Sequence, residues 1–82
     1  MTFKHEIKTN VLNGKRIVYT SETTFFVQIA RQNKTYRTKY SFKGSLGLAV
    51  RWYNHINLGN GYKKRIYCPS MDNKVLARQV SF

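Results

Sequence analysis

Acidic side chains are nearly missing from this sequence. Only Glu6, Glu22 and Asp72 stand against fifteen lysines and arginines, for a formal net charge of +12. Three acids so far apart offer no carboxylate pair, and no nucleophile motif is recognisable, so no catalytic residue and no enzyme activity are expected. A single cysteine, Cys68, excludes an internal disulfide, and with His5 and His55 at no ligand spacing it makes a poor zinc site. No metal and no cofactor are expected. Cys68 reads as a small buried or half-buried apolar residue.

Long apolar runs are also lacking. Nothing approaches the roughly 20 residues that cross a bilayer, and no helix pattern carries a lysine-lined polar face for a membrane surface. Met1 to Glu6 has no apolar segment of the signal-peptide kind, so a reducing cytoplasm is the expected location, near the nucleoid or in a host cell if the chain is phage-encoded.

At 82 residues the chain is one domain with one small core. Its charge repels itself and makes sense if a polyanion neutralises it. Nucleic acid is the commonest such partner, and the aromatic content favours a folded domain over a solvating tail.

Between Thr24 and Asn57 the sequence reads as strand, turn, strand and helix. Phe25, Val27 and Ile29 alternate with Phe26, Gln28 and Ala30, then Arg31 to Lys34 forms a polar turn, and Thr35 to Phe42 alternates again. Tyr36, Thr38 and Tyr40 share the expected core face, while Thr35, Arg37, Lys39 and Ser41 share a charged one. Lys43-Gly44 breaks the strand, Ser45 is placed as a helix N-cap, and Leu48, Ala49, Trp52, Tyr53 and Ile56 follow at helical spacing with Leu46 and Val50 beside them. That spacing makes Trp52 and Tyr53 core residues and His55 a surface one. The helix should stop at Asn57 to Gly61, with Gly59 or Gly61 in a left-handed cap.

Phe3 to Val11 alternates as a first strand, Asn13-Gly14 signals a tight hairpin turn, and Lys15 to Thr20 returns beside it with its inward side left open. Ser21 to Thr24 then leads into the central hairpin, which predicts a four-stranded antiparallel meander ahead of the helix. After the helix, Lys63, Lys64 and Arg65 follow Gly61 in what reads as a mobile loop. Pro69 ends the segment Ile66-Tyr67. Ser70 to Asn73 opens either a short helix carrying Val75, Leu76 and Val80 or a terminal strand.

The expected fold is therefore α+β: an antiparallel three- to four-stranded β-sheet packed on one face by a single α-helix, with a short C-terminal extension. One domain spans 1–82, divided into an N-terminal strand and turn (1–14), a sheet-plus-helix core (15–57) and a basic loop with C-terminal extension (58–82).

The candidate nucleic-acid contacts follow from that reading. Arg37 and Lys39 alternate on one strand face, and Gln28 should share their side, where its amide could read adenine. Arg31 and Lys34 flank the turn and suit phosphates, with Lys15 and Arg16 joining them if their strand points that way. Lys63, Lys64 and Arg65 would reach phosphates from their loop. Phe26 would lie among cations, placed to touch a thymine methyl or a stacked base.

The strand Phe26-Val27-Gln28-Ile29, the turn with Asn33-Lys34, the strand ending in Phe42, and Ala49 followed by Tyr53-Asn54 resemble the plant APETALA-two / ethylene-response-factor DNA-binding domain, and more closely its relatives in phage proteins and homing endonucleases. The resemblance runs from about Lys15 to Asn57. It lacks the family's Tyr-Arg-Gly start of the first strand and Trp-Leu-Gly of the third, and its one tryptophan is in the helix, so the plant base preference does not transfer. The resemblance implies a three-stranded sheet in the major groove with the helix behind it.

The leading expectation is a small DNA-binding protein, a phage or mobile-element regulator or recombination accessory factor, with double-stranded DNA as partner. Two others stand beside it. One is RNA binding, with Tyr36, Tyr40 and Phe26 stacking unpaired bases if the faces are reversed. The other is a phage inhibitor that docks on a host protein. Recognised sequence and oligomeric state are not readable.

Overall fold

Thr24–Arg31 (β3) is the strand on which the other elements are arranged. The computed structural model describes residues 6–82, so Phe3, Lys4 and His5 of the expected first strand lie outside the described residues. In chain order the remaining elements are β1 (Ile7–Leu12), β2 (Lys15–Thr20), β4 (Arg37–Lys43), α1 (Leu46–His55), β5 (Tyr62–Tyr67) and β6 (Val75–Ser81). One four-stranded antiparallel sheet has the order β4-β3-β5-β6, and β1 and β2 form a two-stranded sheet of their own. The fold is α+β, with a single helix among the described residues, packed on the four-stranded sheet.

The expected meander from β1 to β4 is not formed. Thr23 N–H donates to the Thr20 carbonyl (3.1 Å) and Thr20 N–H donates to Thr23 Oγ1 (3.1 Å), a tight turn after β2. β3 then takes β5 as its second neighbour, in register from Phe26 opposite Tyr67 to Arg31 opposite Tyr62. The segment read as a mobile basic loop is thus an inner strand, and the C-terminal segment is a sheet strand and not a helix. Short cationic runs such as Tyr62-Lys63-Lys64-Arg65 hide a strand because their charges mask the alternation that would announce it.

Asn13 and Gly14 both take positive φ, 53° and 77°, as the Asn-Gly turn requires. On β2 the parity resolves with Ile17 and Tyr19 inward and Val18 exposed. The Tyr19 ring meets Phe25 edge-on at 5.0 Å between centroids, and its hydroxyl donates to Asn10 Oδ1 and accepts the Leu46 N–H at 3.4 Å. Phe25, Val27, Ile66 and Cys68 from the sheet side, Leu46, Ala49 and Tyr53 from α1, and Tyr19 form one core. Helix and hairpin therefore cover the same face of the sheet.

Ser45 caps α1 in extended conformation, its hydroxyl accepting the Leu48 N–H at 3.2 Å. Ser45→Ala should cost about 1 kcal/mol in a urea titration, with an unchanged denaturant slope. The buried stripe is centred on Leu46, Ala49 and Tyr53; Leu48 and Trp52 lie on its exposed flank, so Trp52 is a rim residue resting on Tyr40 (5.3 Å) and His55 (5.4 Å) and not a core one. His55 is exposed.

Neither glycine caps the helix. The chain leaves through Ile56 in extended conformation, and Gly61, at φ 82°, lies at the start of β5. The helix end is satisfied by Lys64, whose Nζ donates to the carbonyls of Tyr53 (2.7 Å) and Ile56 (3.0 Å).

Candidate nucleic-acid interface

With helix and hairpin on one side, the other face of the four-stranded sheet is left uncovered by either. Its side chains follow from the strand registers, since residues directly opposite one another share a face. Thr38, Gln28, Arg65 and Arg78 form one row across β4, β3, β5 and β6. Ser41, Phe26, Tyr67 and Val75 form the next row, and Ala30, Lys63 and Val80 lie on the other side of the first.

Strand β4 reaches this arrangement through an irregularity that periodicity does not reveal. Val27 pairs with Tyr40 while Gln28 pairs with Thr38, so Lys39 is an extra, unpaired residue, a β-bulge. One inserted residue reverses the facing of everything beyond it. Tyr40 and Phe42 therefore turn to the helix, whereas Tyr36 and Thr38 lie on the open face. The expected common face of Tyr36, Thr38 and Tyr40 does not exist. Nor does Gln28 share a side with Arg37, which pairs with Ile29 on the helix side.

The middle row is held in a fixed geometry. Arg65 Nε donates to Gln28 Oε1 at 2.7 Å, and Gln28 Nε2 donates to Thr38 Oγ1 at 3.2 Å. The Arg65 guanidinium lies 3.9 Å from the Tyr36 ring centre and 4.5 Å from that of Tyr67, so it is stacked between two rings. Lys63 Nζ lies 4.7 Å from the same Tyr36 ring. Only Nε of Arg65 is used by Gln28, and the guanidinium retains its terminal N–H groups for a ligand.

Arg65 also stands directly opposite Arg78 on β6. Like charges in that position destabilise a sheet. None of the three acids of the chain belongs to the four-stranded sheet or to α1; Glu22 pairs with Lys43 at 2.9 Å at the hairpin junction.

The other candidates separate into groups. Arg31, Lys34 and Arg37 come together around a shallow recess at the β3–β4 turn, floored by Ile29 and Ala30 and walled by Tyr62. Arg31 Nε donates to Tyr62 Oη there at 3.3 Å. Lys39 lies over the Tyr40 ring at 5.4 Å. Lys15 and Arg16 are exposed on the separate β1–β2 hairpin, whose turn end faces β6 across a recess lined by Lys15, Val75 and Arg78. Lys64 is 4% exposed and points under the helix end, where no phosphate reaches it. Burial holds its pKa below the ordinary lysine value.

Tyr67 and Arg78 were absent from the expected contacts. Their signal was the alternation Lys63, Arg65, Tyr67 against Lys64, Ile66, Cys68, which assigns the two sides of β5 once the segment is taken as a strand. Comparison with protein-family models, with curated proteins and with solved structures finds no match.

Proposed function

We propose that this chain is a small nucleic-acid-binding protein that uses the open face of its four-stranded sheet, with DNA as the first partner to test. The observation that carries the reading is the Arg65–Arg78 pair: two arginines directly opposite each other, beside Lys63, on a sheet that contains no acid. Such a pair costs stability unless an anion lies between its members. A phosphate there would take charge-assisted hydrogen bonds from both guanidinium groups. Tyr36, Tyr67 and Gln28 keep Arg65 ordered in advance, so less side-chain freedom is lost on binding. The recess of Arg31, Lys34 and Arg37 lies at the sheet's end on the helix side, where Arg31 pairs with Tyr62 and Arg37 with Ile29, so it adds to the overall positive field and not to this face.

Counterion release sets the test. Three face cations that each neutralise a phosphate make affinity for a random-sequence oligonucleotide fall about 15- to 60-fold between 50 and 200 mM salt, by fluorescence anisotropy. Arg65→Ala should weaken binding about tenfold more than Arg51→Ala, which removes the same charge from the exposed side of α1. Affinity indifferent to salt, or equal loss from both variants, would sink the proposal.

A further inference from the structure

We infer, resting on the reading above, that the nucleic acid taken by this face is single-stranded, with unpaired bases stacked on its tyrosines. The first reason is the chemistry of the face. Phe26 and Tyr67 are direct cross-strand neighbours, and Tyr36 lies on the far side of Arg65 from Tyr67, so rings flank the cation that would hold the backbone. All three side chains are half-buried. Rings interleaved with cations are what an extended strand needs: a flat surface for each base and a positive charge between bases for the phosphate. A duplex offers base edges and has no free base face to stack.

The second reason is size. Four strands span about 15 Å between the outer pair, whereas the major groove is about 12 Å wide and takes a two-stranded ribbon. Arg65 and Gln28 stand on the two inner strands, β5 and β3. A duplex could bring base edges to them only by admitting the outer strands as well. A single strand meets no such limit, because it lies across the face. Its path is the one the register lays out: a base over Phe26 and Tyr67, a phosphate between Arg65 and Arg78, and the next base over Tyr36 beside Lys63.

The experiment titrates the full chain against a labelled mixed-sequence DNA strand, the RNA strand of the same sequence, and the DNA duplex, all at one salt concentration. At least one single strand should bind about tenfold or more tightly than the duplex, and the DNA and RNA arms show which sugar the site accepts. Tyr36→Leu and Tyr67→Leu should each weaken the single-strand complex about tenfold. Tyr36→Phe and Tyr67→Phe, which keep the ring, should restore it. Thermal melts of all four variants show that they are folded. Duplex binding as tight as single-strand binding, or leucine variants as good as phenylalanine ones, would overturn the single-strand inference while nucleic-acid binding stands. Binding by none of the three probes would overturn both.

Discussion

Lys64→Met should lower folding stability by about 3 kcal/mol, one of the two largest effects we expect from a single substitution here. The ammonium donates to two carbonyls at the end of α1 and lies 4.3 Å from the centre of the Tyr53 ring. Methionine fills the same volume but removes two charge-assisted hydrogen bonds, leaving the Tyr53 carbonyl with the Ile56 N–H alone (3.2 Å), and each bond to a charged donor so lost costs about 1.5–3 kcal/mol. Relief from burying a charge offsets part of this. For a domain of this size the change is roughly a 12–24 °C drop in melting temperature. The effect also has a pH signature. Burial lowers the folded-state pKa of Lys64 from its ordinary 10.5, so the unfolded chain holds the proton more strongly and the lysine's contribution to stability grows as pH rises from that lowered pKa to 10.5. The gap between parent and Lys64→Met should therefore widen on the alkaline side. Tyr53 works the other way: burial raises its pKa, so its contribution is full below 10.0 and is lost as pH rises through the folded-state value. Urea titrations at pH 7 and pH 10 measure both proteins. A gap that shrinks at pH 10 would show that Lys64 does not carry the burial penalty described.

Neighbouring lysines and arginines on β5 thus differ in role, and that is where the sequence is least readable. Every position from Lys63 to Arg65 is a cation, and Lys64 separates from the two on the open face, in phase with Ile66 and Cys68, only once the segment is taken as a strand. The distinction comes from β3, whose alternation of Phe25 and Val27 with Phe26 and Gln28 is plain, and from a pairing between segments some forty residues apart in the chain. Features set by local chemistry were readable: the Asn13-Gly14 turn, the Ser45 cap, the break at Gly44 and the existence of one helix. The facing of β4 was not, because one bulged residue, Lys39, reverses Tyr36 and Arg37 without leaving a mark in the hydrophobic pattern. The same limit explains the first hairpin. Its residues alternate as a sheet strand should, but which sheet they join is decided by the turn at Thr20–Thr23 and by competition from β5 for the free edge of β3.

Gly44→Ala should cost about 3 kcal/mol as well, through backbone rather than side-chain chemistry. Gly44 has φ 74°, a conformation that costs an alanine about 1–2 kcal/mol. A Cβ there would also lie 2.7 Å from the Ser21 carbonyl oxygen and 3.1 Å from Ser21 Cα, both main-chain atoms, so no side chain can swing aside. Relief would require moving the turn that joins β2 to β3. Gly44 holds that turn and β1 together: its N–H donates to the Thr23 carbonyl, at 2.6 Å, and its own carbonyl accepts Nζ of Lys8 on β1 at 2.8 Å. Gly44 is thus the point where the β1–β2 hairpin, the start of β3 and the entry to α1 are fastened together. A displaced turn should loosen the hairpin first, since Tyr19 on β2 contributes to the core through Phe25 and the helix N-terminus. Amide hydrogen exchange should therefore show β1 and β2 losing protection in Gly44→Ala well before β3 and β5, whose pairing does not pass through the turn. Uniform loss across all six strands would mean that hairpin and sheet unfold as one unit. The open face lies on the other side of β3, so oligonucleotide affinity measured at a temperature where the variant is folded should stay within about twofold of the parent.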